Sequence, residues 1–135
     1  MENRNMNQAE AVIYFLQRLD VKMLSLILEN HQYQYFEKDL FIKKLGEALQ
    51  KFTEAGDTFL NISSGHCNLN ICHFNCTGFT FIGNKSKNYM NLIIEIKDGI
   101  VQNISDCNYF KKDMDGITND KIEINPGDFC FDLIF

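Results

Sequence analysis

The feature that most constrains this chain is a change of period at Gly56. Apolar residues recur at helical spacing before it and at every second position after it. Helices come first and strands afterwards, joined by links of hairpin length, which is the order of an α+β domain. The expected architecture is N-terminal helices packed on one face of a C-terminal antiparallel β-meander, with a helical part over about 7–55 and a sheet part over about 57–135.

Residues 7–19 read as a first helix. Asn7 and Glu10 stand in capping-box positions, and Ala9, Val12, Ile13, Leu16 and Leu19 make one apolar face. Asp20 reads as a fresh N-cap for a short, nearly all-apolar helix over 21–28. Residues 31–36 alternate polar and aromatic, which predicts an extended link whose tyrosines, Tyr33 and Tyr35, cover a neighbouring apolar surface. The next helix spans about 37–54, with Phe41, Ile42, Leu45, Leu49 and Phe52 on one stripe. Gly56 is suited to end it, as the residue that takes positive φ without steric cost.

Strands are expected at 58–62, 78–82, 89–97 and 100–105. Met90, Leu92, Ile94 and Ile96 share one face of the third. Asp98-Gly99 is the strongest hairpin signal, since both central positions of a type I′ turn need positive φ. The stretch 83–88 is a polar turn, and 107–119 reads as a polar connector. Residues 121–124 alternate cleanly. Pro126-Gly127 then turns the chain into a last strand on which Phe129, Phe131, Leu133 and Phe135 point one way. No repeat or linker divides the 135 residues, so a single domain over 1–135 is expected; at that length about two thirds of the unfolded surface can be buried.

Composition excludes several functions. A formal net charge of −5, with no Lys/Arg cluster beyond pairs such as Lys43-Lys44 and Lys111-Lys112, leaves nothing to set against a nucleic-acid backbone. No apolar run approaches the roughly 20 residues of a membrane helix. The polar start lacks the basic end, apolar block and small-residue cleavage site of a secretory signal, so a cytoplasmic protein with reduced thiols is expected. Its five cysteines are an odd count, which fits a closed set of disulfides poorly.

Chemistry concentrates between Gly65 and Gly83, which hold three of the five cysteines and two of the three histidines. Cys67, Cys72 and Cys76 are spaced C-x4-C-x3-C, and Cys107 follows later. Four thiolates from two places in the chain can meet the tetrahedral demand of zinc, and a full set of sulfurs makes such a site structural, with no open position for water. The expected metal ligands are therefore Cys67, Cys72, Cys76 and Cys107, with His66 or His73 as substitutes for Cys107. In a flat meander Cys76 and Cys107 fall near opposite ends of the sheet, approaching 20 Å apart at about 3.3 Å per residue. Only a bent sheet, or a loop folded across it, brings their sulfurs together. A [2Fe–2S] cluster is the alternative cofactor, because plant-type ferredoxins carry C-x4-C-x2-C and a distant cysteine. The bulky loop residues here suit the close backbone wrap of such a cluster poorly. The remaining reading is that the cysteines are small buried hydrophobes, as Cys130 between Phe129 and Phe131 is expected to be.

Other motifs fail on spacing. Asp113-Met114-Asp115-Gly116 does not extend to a calcium loop, since counting from Gly116 puts Lys111 in the first position and Ile122 in the last. No phosphate-binding loop and no catalytic constellation is present. The order of helices then meander is similar to the nuclear-transport-factor-like cone, a similarity of element order that covers no motif. Two functions follow: a binding or adaptor module with a structural zinc and an unidentified protein or small-molecule partner, or a small-ligand pocket protein or enzyme on a cone-like scaffold with incidental cysteines.

Overall fold

In the computed structural model, residues 6–67, 77–106, 110–111 and 119–125 are described, those at 64–67, 77 and 110–111 by their backbone only. Helix α1 (Gln8–Gln17) starts as the sequence predicts: Glu10 donates its N–H to the Asn7 side chain, and the Asn7 N–H donates to the Glu10 carboxylate. Asp20 caps α2 (Val21–Ile27) by accepting from the Met23 N–H. Helix α3 (Lys38–Glu54) buries Phe41, Leu45, Ala48, Leu49 and Phe52, and Gly56 follows it at φ 97°.

Residues 31–36 are not an extended link. Tyr33 and Phe36 exchange both backbone hydrogen bonds, closing a tight turn whose central residues, Gln34 and Tyr35, stand at φ 51° and 70°. Tyr33 is fully buried and stacks on Phe41, with ring centroids 5.1 Å apart, whereas Tyr35 is exposed. Only one of the two tyrosines therefore covers the core.

The strands β1 (Leu60–Cys67), β2 (Thr77–Gly83), β3 (Tyr89–Lys97) and β4 (Ile100–Asp106) form an antiparallel sheet, and the short β5 (Phe110–Lys111) adds to the far edge of β1. The strand order is β4-β3-β2-β1-β5. The β3–β4 hairpin turns at Asp98 and Gly99, both at positive φ (54° and 77°). Strand β1 begins two residues later than its apolar pattern suggests, and the Thr58 N–H instead donates to the Asn84 side chain. It then continues through Ser63, Ser64 and Gly65, which pair with Thr80, Phe79 and Gly78.

The core lies between the helices and one face of the sheet. Leu60, Phe81, Met90, Leu92, Ile94 and Ile104 join Val12, Leu16, Leu24, Phe41, Leu45 and Phe52 in one cluster. The opposite face is not solvated as a one-sided sheet would be: Thr80, Ile82, Asn91, Ile93 and Ser105 on it are also buried. Residues 121–124 make a single bridge, Lys121 to Tyr89, in place of a ladder, while Ile122 and Ile124 enter the core. The predicted last strand, with Cys130, lies outside the described residues. Side chains block the outer edge of β4. The Val101 N–H donates to Gln8 Oε1, and the Gln102 carbonyl accepts from His31. Among the described residues no helix is long and apolar enough to cross a membrane.

Candidate metal centre

Of the four expected ligands, Cys67 is the last residue of β1, where its Cα pairs with that of Phe110 and His66 pairs with Lys111. Cys72, Cys76 and Cys107, together with His73, lie outside the described residues. Among the described residues no group of three or more His, Cys, Asp or Glu is arranged to hold a metal ion.

What the structure does settle is the shape of the sheet that carries these positions. Asp106 ends β4 on one edge, and Phe110 opens β5 on the other. Four strand spacings separate those edges, about 19 Å in a flat sheet at about 4.8 Å each. The four chain steps from Asp106 to Phe110 reach at most about 14 Å. Register tightens the bound. Asp106 is level with Leu92, Phe79 and Ser64, whereas Phe110 is level with Cys67, three residues further along β1. That offset takes up about 10 Å of the reach and leaves about 10 Å for the crossing. The sheet is therefore curled so that its two edges approach.

Thr77, the neighbour of Cys76, starts β2 one residue before Gly78, which pairs with Gly65. Both strand ends that flank the cysteine loop thus lie at the same end of the β1–β2 ladder. The segment after Cys107 is paired to that end through Phe110 and Cys67.

The residue before Cys107 is tied down unusually well. Asp106 shares the core face of β4 with Ile104 and is only 1% exposed. Its carboxylate accepts from the Asn125 N–H (2.7 Å), the Ile124 N–H (3.0 Å) and Gln34 Nε2 (3.2 Å). Its own N–H donates to Gln34 Oε1, and the Gln34 N–H donates to Asn103 Oδ1. Burial pushes the Asp106 carboxyl above its usual range, aided by the charge of Glu123, against the hydrogen bonds from Asn125, Ile124 and Gln34. Sequence reasoning missed this group. Its signal was parity: an Asp at 106 shares the face of Ile104, where an apolar residue is the norm.

A second clamp closes the turn between β2 and β3. The Asp57 carboxylate accepts from the Lys85 N–H (2.8 Å), the Ser86 N–H (2.7 Å) and the Ser86 hydroxyl (2.6 Å). Burial works to raise its pKa, but these bonds, with the charge of Lys87, outweigh it and hold the carboxyl below its usual range.

A surface groove of about 350 Å³ is lined by Asn30, His31, Gln32, Glu37, Lys38 and Asp39. His31 rests on the Tyr33 ring and donates from Nε2 to the Gln102 carbonyl (2.9 Å), since a carbonyl can only accept. Lys38 Nζ donates to the Leu28 carbonyl. Burial pushes the Tyr33 hydroxyl up to about 12, and it donates to the Glu29 carbonyl. Two of the groove residues, His31 and Lys38, thus tie parts of the fold together, and the lining supplies no nucleophile paired with a base.

Comparison of the chain with protein-family models, curated proteins and solved structures finds no match in any of the three.

Proposed function

We propose that the chain is a binding or adaptor module whose β1–β2 loop is ordered by a structural zinc held by Cys67, Cys72, Cys76 and Cys107. The observation that supports this reading most is that Asp106 and Phe110, on opposite edges of the sheet, are four chain steps apart, and that Phe110 pairs with Cys67 at the end of β1. Thiolates are the donors zinc prefers, and four of them close the coordination sphere, so the metal's role is to fold the loop rather than to activate water. Metal binding energy becomes folding energy in a segment that a structural metal orders. The ligand-pocket alternative gains less support, because the groove at His31 is polar and two of its side chains, His31 and Lys38, are engaged in the fold.

The test is metal analysis of the purified protein, followed by thermal unfolding with and without a chelator. One zinc per chain and a chelator-dependent loss of stability support the reading. Absence of stoichiometric metal overturns it.

A further inference from the structure

We infer that the edge of β3 at Tyr89, together with the Asp106 carboxylate, is a binding slot for an extended peptide with aliphatic residues at alternate positions, and that residues 119–125 fill it as a releasable strap. The inference is independent of the zinc reading and uses none of its ligands.

Strand β4 pairs with β3 only as far as Leu92, and β2 holds one edge of Tyr89 through Ile82. The strap takes the edge that β4 leaves, running parallel to β3 with a single bridge, Lys121 to Tyr89. Its contacts are those by which a sheet edge receives an added strand. The Tyr89 N–H donates to the Asp120 carbonyl, and the Ile122 N–H donates to the Tyr89 carbonyl. Ile122 and Ile124 are seated in the core, while Lys121 and Glu123, at the alternate positions, are half-buried and pair with each other at 3.3 Å. Past the bridge the Asp106 carboxylate takes over, accepting from two successive N–H groups, those of Ile124 and Asn125. It reads main chain there, so any residue with an N–H fits and proline does not.

The receiving side does not depend on the strap. Asp106 pairs with Leu92, accepts from Gln34 Nε2 and donates its N–H to Gln34 Oε1. The strap, in contrast, lies against a costly partner. Asp106 is only 1% exposed, among the described residues no cation pairs with it, and Glu123 on the strap carries charge of the same sign. Burial pushes the Asp106 carboxyl above its usual range, so release of the strap, which returns the carboxylate to water, relieves that cost. A buried charge is a weak source of stability; its use here is to fix the register of the chain laid beside it. The occupant this slot fits is a partner protein's extended segment with two branched aliphatic residues separated by one residue, competing with a strap that has the advantage of being tethered.

The test uses the full chain and, as probe, a fluorescent peptide with the sequence of residues 119–125. In the chain carrying Ile122→Ser and Ile124→Ser the tethered strap no longer competes, and the peptide is expected to bind at least about 10-fold more tightly than to the unsubstituted chain. Binding should fall by about 10-fold or more when the peptide itself carries serine at both isoleucine positions, or proline at the position of Asn125. Hydrogen exchange in the unsubstituted chain carries the test if the double variant does not fold. The amides of Ile122, Ile124 and Asn125 are expected to exchange about 100-fold faster than those of the β2–β3 ladder, and with little dependence on dilute urea, as local release requires. No binding to the folded double variant at about 1 mM peptide, equal binding of the serine peptide, or strap amides that exchange only with the whole sheet overturns the inference.

Discussion

Gly83 has no room for a methyl group, and replacing it with alanine tests the clamp that closes the β2–β3 turn. A Cβ built there would overlap Asp57 Oδ2 and lie 2.7 Å from Oδ1. The neighbour is not the loose end of a long side chain. It is a short carboxylate held by three hydrogen bonds from Lys85 and Ser86. Hydrogen bonds to a charged group contribute about 1.5–3 kcal/mol each, so three lost in a dry site would total about 5–9 kcal/mol. The donors belong to a turn whose Lys85 and Lys87 are exposed, and they regain water when the carboxylate swings out. The expected cost of Gly83→Ala is therefore about 2–4 kcal/mol. The φ of Gly83 is not positive, so alanine is compatible with the backbone itself. With the carboxylate removed by Asp57→Ala, adding Gly83→Ala should be neutral or stabilise by up to about 1 kcal/mol. Urea unfolding of the four proteins in a double-mutant cycle gives the coupling. A Gly83→Ala cost under about 0.5 kcal/mol, the range of an innocuous surface change, or a cost that persists in the Asp57→Ala background, would refute the reasoning.

The two buried carboxyls titrate with opposite effect on stability. Asp57, held low, stabilises fully above about pH 3.8 and loses that contribution as pH falls through its folded value, so Asp57→Asn should flatten the acid limb of a stability profile. Asp106, held high, contributes most below about pH 3.8 and loses that as pH rises through its folded value, so Asp106→Asn should remove a decline on the rising side; unfolding measured against pH checks both. Asn7→Ala breaks the capping box of α1 and should cost about 1 kcal/mol by denaturant unfolding, with Gly99→Ala a related probe because its Cβ would meet Asn7 at 3.1 Å and its φ is 77°.

The helices were legible because their period, caps and stop residues agree: Asn7, Asp20 and Gly56 stand where the structure uses them. Asp98-Gly99 was legible for the same reason, since the turn's conformation and its residue types coincide. The turn at 33–36 was not, because its positive φ values fall on Gln34 and Tyr35, which carry no local preference for them; tertiary bonds to Asp106 and Asn103 impose the conformation. The reach of β1 through Ser63-Ser64-Gly65 escaped because no apolar alternation marks it, and its pairing is decided by β2. Two-residue β5 is too short to carry a period at all. At the candidate site the donor types and their spacing were readable. The curl that brings β4 and β5 within four chain steps was not, because alternation along a strand records which face is buried and nothing about how the sheet bends.

Metal content decides the central claim. Protein purified under reducing conditions without chelator should carry one zinc per chain, and Cys72→Ser should lose both the metal and several kcal/mol of stability. A chain with no stoichiometric metal, in which Cys72→Ser costs under about 1 kcal/mol, would contradict it.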